Sequence, residues 1–219
     1  MPIISKKICL IGDFGVGKTS LIRRYIDRQF SDQYLSTIGV KISQKNIDLI
    51  NPNCLDRKLQ LLIWDIEGQT KFQAIARNYL EGAQGAIIVA DLNRQDTIDN
   101  IPAHIELVTS VNPKGLVLMV AINKIDALNQ PRLEQTQYFN VSENDSQNSV
   151  AQATFIQTGE IIDKIQKKLG LSQDFNPGSV LSSSSTQNYP QVHTTSAKTG
   201  QGVDKLFETL TYLLVEKRR

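Results

Sequence analysis

The sequence predicts an α/β fold: a mostly parallel six-stranded sheet with one antiparallel hairpin strand, flanked by about five helices. Two observations support this prediction. Short apolar runs alternate along the chain with segments of helical periodicity, as in folds where helices cover a parallel sheet. The runs AIIVA (86–90) and LVLMVAI (116–122) are apolar at every position, which is typical of central strands buried on both faces.

The strands are predicted from apolar runs and from alternation. In the third strand every second residue from Leu59 to Ile63 is apolar, as expected for a strand with one buried face. The second and third strands flank the turn-forming stretch NPNCLDR and are expected to form a hairpin. The predicted strands span residues 7–11, 41–50, 58–64, 86–90, 116–122 and 191–195.

The helices are predicted from apolar residues that recur every three or four positions. The last helix is the clearest, because its apolar residues form a single stripe from Val203 to Leu214. Pro102 lies inside the third helical pattern and should divide it into a short first turn and a main segment. The predicted helices span residues 18–28, 70–80, 95–111, 159–169 and 203–217.

The composition is that of an ordinary globular protein. The 219 residues are 40% hydrophobic and 21% charged, and they are expected to form a single domain, 1–219. A net charge of +2 gives no reason to expect nucleic-acid binding. The two cysteines show neither the number of a disulfide framework nor the spacing of a metal site. No run of residues resembles a signal peptide or reaches the length of a membrane span. A cytoplasmic location is therefore expected.

A polar region at about 127–192 interrupts the alternation of strands and helices. Its second half, at about 176–189, is rich in serine and has the composition of a flexible loop. Long loops in a domain are either disordered or functional, and disorder is the favoured interpretation here.

The stretch GDFGVGKTS (12–20) follows the first predicted strand and opens the first helix. Its spacing, G-x-x-x-x-G-K-T, is the phosphate-loop pattern, in which backbone N–H groups wrap a polyphosphate. The Lys18 ammonium would neutralise phosphate charge, and the Thr19 hydroxyl would bind Mg²⁺. A chance glycine turn is the alternative, disfavoured by the strand–loop–helix context. The nucleotide-binding residues predicted here are Asp13, Phe14, Gly15, Val16, Gly17, Lys18, Thr19 and Ser20.

The stretch WDIEGQ (64–69) ends the third predicted strand. Asp65 can hold Mg²⁺ through a water, the Gly68 N–H can approach a terminal phosphate, and Gln69 can orient a water for in-line attack. On its own this pattern could be a simple turn. Its position roughly 50 residues after the phosphate loop favours a phosphate site.

Two later stretches predict the base. In NKID (123–126) the Asp126 carboxylate can accept from the ring N–H and the exocyclic amine of guanine, whereas adenine would leave it unpaired. In TSAKTG (195–200) small residues let backbone N–H groups approach the guanine oxygen. A helix-capping aspartate and a polar turn are the respective alternatives. All four motifs end predicted strands, at the edge where α/β sheets bind ligands. The base-site residues are Asn123, Lys124, Asp126, Ser196, Ala197 and Lys198.

With these four motifs the chain resembles a small GTPase of the Ras superfamily, closest to the Rab branch. Residues 24–41 resemble the Rab first switch, and residues 64–92 resemble its second switch and the strand that follows. The resemblance covers residues 6–216 apart from 127–192. It implies the G-domain fold of P-loop NTPases and a Mg²⁺-dependent molecular switch that hydrolyses GTP to GDP.

The resemblance also implies roles for single residues. Thr37 would join Thr19 and Asp65 in holding Mg²⁺ when a γ-phosphate is present. Phe30 would pack against the guanine, and Tyr34 would close over the phosphates. Loss of the γ-phosphate would release both switches.

For catalysis, the resemblance implies that Lys18 stabilises phosphate charge and that Gln69 positions the attacking water. Effectors, exchange factors and GTPase-activating proteins would bind through residues of about 30–45 and 64–80. Trp64, Phe72 and Tyr79 match aromatic positions that the family presents to effectors, with burial in the core as the alternative, above all for Trp64.

Three features depart from the Rab pattern. Glu67 replaces a small residue, and a carboxylate about 5 Å from the γ-phosphate would cost about 3 kcal/mol. It therefore turns away, finds a cation or disfavours GTP relative to GDP; a general-base role is the sharper alternative. Phe14 replaces a serine and would hinder an arginine supplied by a partner, so slow hydrolysis is expected. The ending LLVEKRR carries no prenylation cysteine, so no encoded lipid anchor and only indirect membrane contact are expected.

Three functions are compatible with these motifs. The leading prediction is a GTP-hydrolysing switch. The second is a guanine-nucleotide-dependent scaffold that barely hydrolyses GTP because of Glu67. The third, a phosphate-loop kinase or ATPase, is disfavoured by Asp126 and by the TSAKTG loop. His104 and His193 show no pattern and are assigned no role.

Overall fold

The computed structural model describes residues 3–33, 36–49, 57–68, 73–129 and 190–216, together with Gly159, Ile162, Asp163, Ile165 and Lys167. The chain divides into two units. The first contains Met1–Lys124 and Asn188–Arg219, and the second contains Ile125–Gln187.

The first unit is built on a six-stranded sheet with the strand order β2-β3-β1-β4-β5-β6. Only the β2–β3 pair is antiparallel; the neighbours β3–β1, β1–β4, β4–β5 and β5–β6 all run parallel. This confirms the mostly parallel sheet with one antiparallel hairpin strand. The strands are β1 Ile3–Ile11, β2 Val40–Leu49, β3 Arg57–Ile66, β4 Gly85–Asp91, β5 Val117–Asn123 and β6 Gln191–Thr194.

Helices cover this sheet in two groups. Helix α1 contacts α5, whereas α2 and α3 both contact α4. Pro102 lies in the first turn of α4 and the third helical pattern is divided before it, as predicted. The helices of this unit are α1 Lys18–Asp27, α2 Gln73–Leu80, α3 Gln95–Asp99, α4 Ile101–Val111 and α5 Val203–Glu216.

The core follows the apolar patterns. Every residue of β4 and β5 is buried, as expected for central strands covered on both faces. Leu59, Leu61 and Ile63 of β3 are fully buried. On the α1–α5 side, the fully buried Phe207 stacks on Tyr25 with 3.9 Å between ring centroids. This packing gives the unit a rigid sheet whose ends can carry a site.

The element boundaries differ from the prediction at several ends. Strand β1 begins at Ile3 rather than at residue 7, because residues 3–6 already pair with β3, from Ile3–Lys58 onwards. In the second unit Ile125–Asn129 forms a 3₁₀ helix. The described residues between 159 and 167 are helical. The serine-rich stretch 176–189, Cys54 and residues 70–72 of the predicted second helix lie outside the described residues.

The parallel strands β1, β3, β4, β5 and β6 point their carboxyl ends to one edge of the sheet. The phosphate loop follows β1, Asp65 lies near the end of β3, Asn123 ends β5 and the TSAKTG loop follows β6. The fold therefore brings the phosphate loop, Asp65, Asn123 and the TSAKTG loop to one edge. Among the described residues, no helix is both long enough and apolar enough to cross a membrane.

Candidate functional site

The loop between β1 and α1 has the backbone of a phosphate cradle. Gly15 and Gly17 have φ values of +76° and +98°, a region that side chains disfavour. Their N–H groups, and that of Val16, donate to no acceptor within the parts of the chain that the structure describes. Such a run of free amide groups suits a bound anion.

Lys18 occupies the centre of this loop. Its Nζ donates to the carbonyl oxygens of Gly12 and Asp13 at 2.7 and 2.8 Å. Burial lowers its pKa from 10.5 to about 8, and the nearby carboxylates Asp65, Asp13 and Glu67 oppose that shift. The Lys18 side chain is thus buried, and no carboxylate in the described part of the chain forms an ion pair with it. Its charge is therefore available to a bound polyphosphate.

Gly68 lies against the same lysine. A Cβ atom at this position would be 2.5 Å from Lys18 Nζ and 2.6 Å from the Asp13 carbonyl oxygen. Any larger residue would therefore push into the phosphate loop. The end of β3 and the loop after β1 consequently share one small space.

Two hydroxyls and a carboxylate meet beside Lys18. Thr19 Oγ1 donates to Asp65 Oδ2 at 2.5 Å and lies 2.8 Å from Thr37 Oγ1. Asp65 Oδ1 is buried and has no hydrogen-bond partner among the described residues. Burial raises the pKa of Asp65, while the hydrogen bonds from Thr19 and Thr37 and the Lys18 charge oppose that rise.

This oxygen cluster fits a magnesium ion. Hydroxyl and carboxylate oxygens are hard ligands, and the orphaned Asp65 Oδ1 needs a cation or a donor. No group of three or more His, Cys, Asp or Glu side chains able to hold a metal occurs in the described ranges.

Glu67 turns its carboxylate towards the first switch. Its Oε2 accepts from the Gly39 N–H at 2.7 Å, and its own N–H donates to the Gly39 carbonyl at 2.9 Å. The carboxylate is thus bonded to a backbone donor, and its charge still contributes to raising the pKa of Lys18. The two bonds fasten the residues just after Thr37 to the end of β3.

Asn123 connects the phosphate loop to the TSAKTG loop. Its Nδ2 donates to the Val16 carbonyl at 2.9 Å, and its Oδ1 accepts from the Ala197 N–H at 3.2 Å and from Thr195 Oγ1 at 3.3 Å. The side chain is buried, so both ends are needed to satisfy it. One amide therefore spans the two loops.

The residues that the sequence predicts to bind the base have partners of their own. Lys124 Nζ pairs with the buried Asp91 Oδ2 at 2.7 Å. Arg24 of α1 donates to the Ala197 carbonyl at 2.7 Å and also to the Lys198 carbonyl. Ser196 is fully buried. Asp126 lies in the 3₁₀ helix of the second unit.

Three side chains after β4 contact the phosphate loop, and no sequence motif indicates them. Asn100 Nδ2 donates to Asp13 Oδ2 at 2.9 Å, and His104 Nε2 lies 3.1 Å from Asp13 Oδ1. Arg94 Nη1 donates to the Phe14 carbonyl at 2.6 Å. The sequence pattern assigns no role to His104, because its contact with Asp13 depends on how α4 packs.

The remaining predicted residues divide into two sets. Phe30 is partly buried against the core, and Trp64 lies under the Lys7 ammonium, 3.9 Å from the ring centroid. Ser20 is half-buried in the first turn of α1. The residues whose placement lies outside the described part of the chain are Tyr34, Gln69 and Phe72.

A family model matches this part of the chain. The model, described as Ras of Complex, Roc, domain of DAPkinase, matches residues 7–126, which is more than half of the 219 residues. The matched range contains the phosphate loop, WDIEGQ and NKID.

Individual relatives are Ras-type proteins. The chain is 38% identical over 122 residues to the GTP-binding protein ypt3 of Schizosaccharomyces pombe, covering 56% of this chain and 55% of that one. It is 40% identical over 127 residues to the Ras-related protein Rab-1C of Dictyostelium discoideum, covering 58% and 60%. It is 35% identical over 120 residues to the Ras-related protein RABA1c of Arabidopsis thaliana, covering 55% and 53%. The chain therefore spans little more than half the length of these relatives.

Proposed function

Because the chain belongs to the Roc family of Ras-type domains and is Rab-like within the Ras superfamily, we propose that it is a molecular switch that binds guanine nucleotides and hydrolyses GTP to GDP. The observation that carries the proposal is the Asn123 side chain, which bonds both the phosphate loop and the TSAKTG loop. This bridge supports the proposal because it joins the segments proposed to bind the phosphates and the base.

The phosphates would lie in the loop around Lys18. The free N–H groups of Gly15, Val16 and Gly17 would donate to phosphate oxygens, and the Lys18 ammonium would add its charge. Guanine is the base proposed, and this selectivity rests on the sequence motif that contains Asp126. GTP and GDP are the substrate and the product.

Mg²⁺ would be held by Thr19 and Thr37, with Asp65 supporting it. When bound, it supplies charge neutralisation at the phosphate oxygens. The orphaned Asp65 Oδ1 and the two hydroxyls beside it support this assignment. Gln69 is proposed, from the family resemblance, to orient the attacking water, and Lys18 to stabilise developing charge.

The signalling surface is proposed to comprise residues of about 30–45 and 64–80. Ile38 is 87% exposed and Ile42 is 53% exposed, so apolar groups are presented by the first switch and by β2. Effectors, exchange factors and GTPase-activating proteins are the partners proposed for it. A cytoplasmic location belongs to the same proposal, supported by the free, buried Cys9.

The test is single-turnover hydrolysis by the full chain with GTP and Mg²⁺, in which released phosphate and retained nucleotide are both measured. We expect release on the order of 10⁻⁴ to 10⁻² per second, because no arginine is supplied in trans. Lys18→Ala should abolish both signals, whereas Lys114→Ala, at an exposed position, should behave like the parent.

Other outcomes would contradict the proposal. Retained GTP without phosphate release would support the scaffold instead, and equal turnover of ATP would support the phosphate-loop kinase or ATPase. A partner-free rate near one per second would contradict slow intrinsic hydrolysis.

A further inference from the structure

The carbonyl of Phe14 lies in the phosphate loop and accepts a hydrogen bond from outside it. Arg94 Nη1 is the donor, at 2.6 Å, from the residue that precedes α3. Phe14 and Arg94 are 80 positions apart in the chain, so the contact depends on the fold and not on a local turn.

Arg94 is itself held in place at both ends. Its backbone N–H donates to the Asp91 carbonyl at 3.0 Å, and its carbonyl accepts from the buried Thr97 hydroxyl at 2.7 Å. At the other end, Nη2 donates to Asp96 Oδ2 at 2.9 Å. The guanidinium therefore presents its second nitrogen to Phe14 from a fixed position, although it is partly exposed to solvent.

The bond fixes the orientation of one peptide group. The Phe14–Gly15 bond is trans, like every described peptide bond. In a trans peptide the C=O and the N–H point in opposite directions. Because the Phe14 carbonyl faces Arg94, the Gly15 N–H faces the other way, and within the described residues it has no acceptor.

Because residue 15 is a glycine, the Phe14–Gly15 peptide group could otherwise change its orientation. Gly15 has a φ of +76° and no Cβ, so the peptide plane before it can rotate with little steric resistance. A rotated plane would turn a carbonyl oxygen, in place of an N–H, towards a bound polyphosphate. A hydrogen bond from a charged donor opposes that rotation.

We propose that Arg94 is a positioning residue for GTP hydrolysis, which it serves through the Phe14–Gly15 peptide. It holds the Gly15 N–H towards the polyphosphate, and its charge polarises the peptide so that this N–H becomes a stronger donor as negative charge develops on the leaving phosphate. The inference rests on the proposed GTPase function, and it assigns Arg94 no contact with the nucleotide.

The experiment compares the full-length parent with Arg94→Ala, Arg94→Lys and Asp96→Asn, with Lys114→Ala as the surface control. Single-turnover GTP hydrolysis and the equilibrium affinities for GTP and GDP are measured with Mg²⁺. Removing a direct donor to a transition state typically costs on the order of a hundredfold to a thousandfold in rate, so an indirect effect should be about tenfold. We expect that loss for Arg94→Ala, with affinities changed by less than about threefold.

The conservative variants separate this role from a structural one. Arg94→Lys keeps a charged donor and should recover part of the rate, and Asp96→Asn, which loosens the guanidinium, should fall between the parent and Arg94→Ala. If Arg94→Ala does not fold, the hydrolysis rates of these two variants are compared with the parent rate instead.

Two results would overturn the role of Arg94 and leave the proposed GTPase function standing. One is that the Arg94 variants hydrolyse GTP at the parent rate. The other is that they lose affinity for GTP and GDP while the hydrolysis rate of the bound complex is unchanged. A parent chain that binds no guanine nucleotide would overturn the proposed function as well.

Discussion

At the scale of single residues, Glu67 shows what the sequence could and could not predict. Its size and charge mark it as unusual beside a phosphate site, but its direction depends on the register of β2 and β3. Val40 pairs with Ile66, which places Gly39 opposite Glu67 and brings the carboxylate to the Gly39 N–H. The register is a long-range property that motif spacing does not contain.

Replacing Glu67 with alanine should loosen the first switch. The Gly39 N–H would lose its acceptor, worth about 1 kcal/mol, so opening of this segment should become about fivefold more frequent. Hydrogen–deuterium exchange of a peptide covering residues 36–42 measures this change. The exposed Glu81→Ala variant is the control. Unchanged exchange in Glu67→Ala would show that the carboxylate does not hold the segment.

His193 should make stability depend on pH. Burial, with a contribution from the charge of Lys205, lowers its pKa from 6.5 to about 4. Above pH 6.5 the ring is neutral in both folded and unfolded chains. Between pH 6.5 and 4 only the unfolded chain takes up the proton, so the folded state loses stability, by at most about 3 kcal/mol before solvent screening is allowed for.

The measurement is the urea-dependent free energy of unfolding from pH 7 to pH 4. His193→Asn should lose less stability over this range than the parent, because its side chain does not titrate. Parallel curves for the two proteins would contradict the role given to His193.

At the scale of elements, strands and helices were largely predictable and loop contacts were not. Local periodicity predicts which face of an element is buried. The alternation from Leu59 to Ile63 and the apolar stripe that contains Phe207 are examples, because these residues are buried in the structure. Asn100 and His104 lie on or beside α4, where nothing in their spacing indicates a partner. Their contacts with Asp13 arise because α4 packs beside the loop that follows β1.

Asn123 should couple the two loops that it bridges. Asn123→Ala would leave the Val16 carbonyl and the Ala197 N–H without their partner, at a cost of about 2 to 3 kcal/mol. We expect GDP release to accelerate about tenfold or more, as followed with a fluorescent GDP.

Asn112 provides the matched control. Its side-chain amide likewise bonds two backbone groups, because its Nδ2 donates to the carbonyls of Leu80 and Val108 at the end of α4. Asn112→Ala should lower stability without changing GDP release. Equal effects of the two variants on release would contradict a specific bridge at Asn123.

At the scale of the whole molecule, the first unit is a sheet between two groups of helices, and the α1–α5 group depends on one aromatic stack. Phe207 stacks on Tyr25 of α1, and the Lys45 Nζ of β2 lies 3.8 Å from the centroid of the Tyr25 ring. The sequence predicted burial of Phe207 but not the identity of its neighbour, because the packing of α1 against α5 is set by the complete fold.

Phe207→Ala should destabilise the unit by about 3 to 5 kcal/mol, because it removes a fully buried ring. Tyr212→Ala, at an exposed position of the same helix, should cost less than about 0.5 kcal/mol. Chemical denaturation with and without GDP and Mg²⁺ measures both, and ligand should stabilise the parent by mass action. Similar losses in the two variants would contradict the importance of the stack.

The most direct test of the central claim, that the chain binds guanine nucleotides selectively, is competition at equilibrium. The full chain with Mg²⁺ is loaded with a fluorescent GDP and challenged in turn with GTP, GDP, ATP and ADP. We predict displacement by the guanosine phosphates at concentrations at least about a hundredfold lower than by the adenosine phosphates. Equal displacement by both, or no uptake of the fluorescent GDP, would contradict the account.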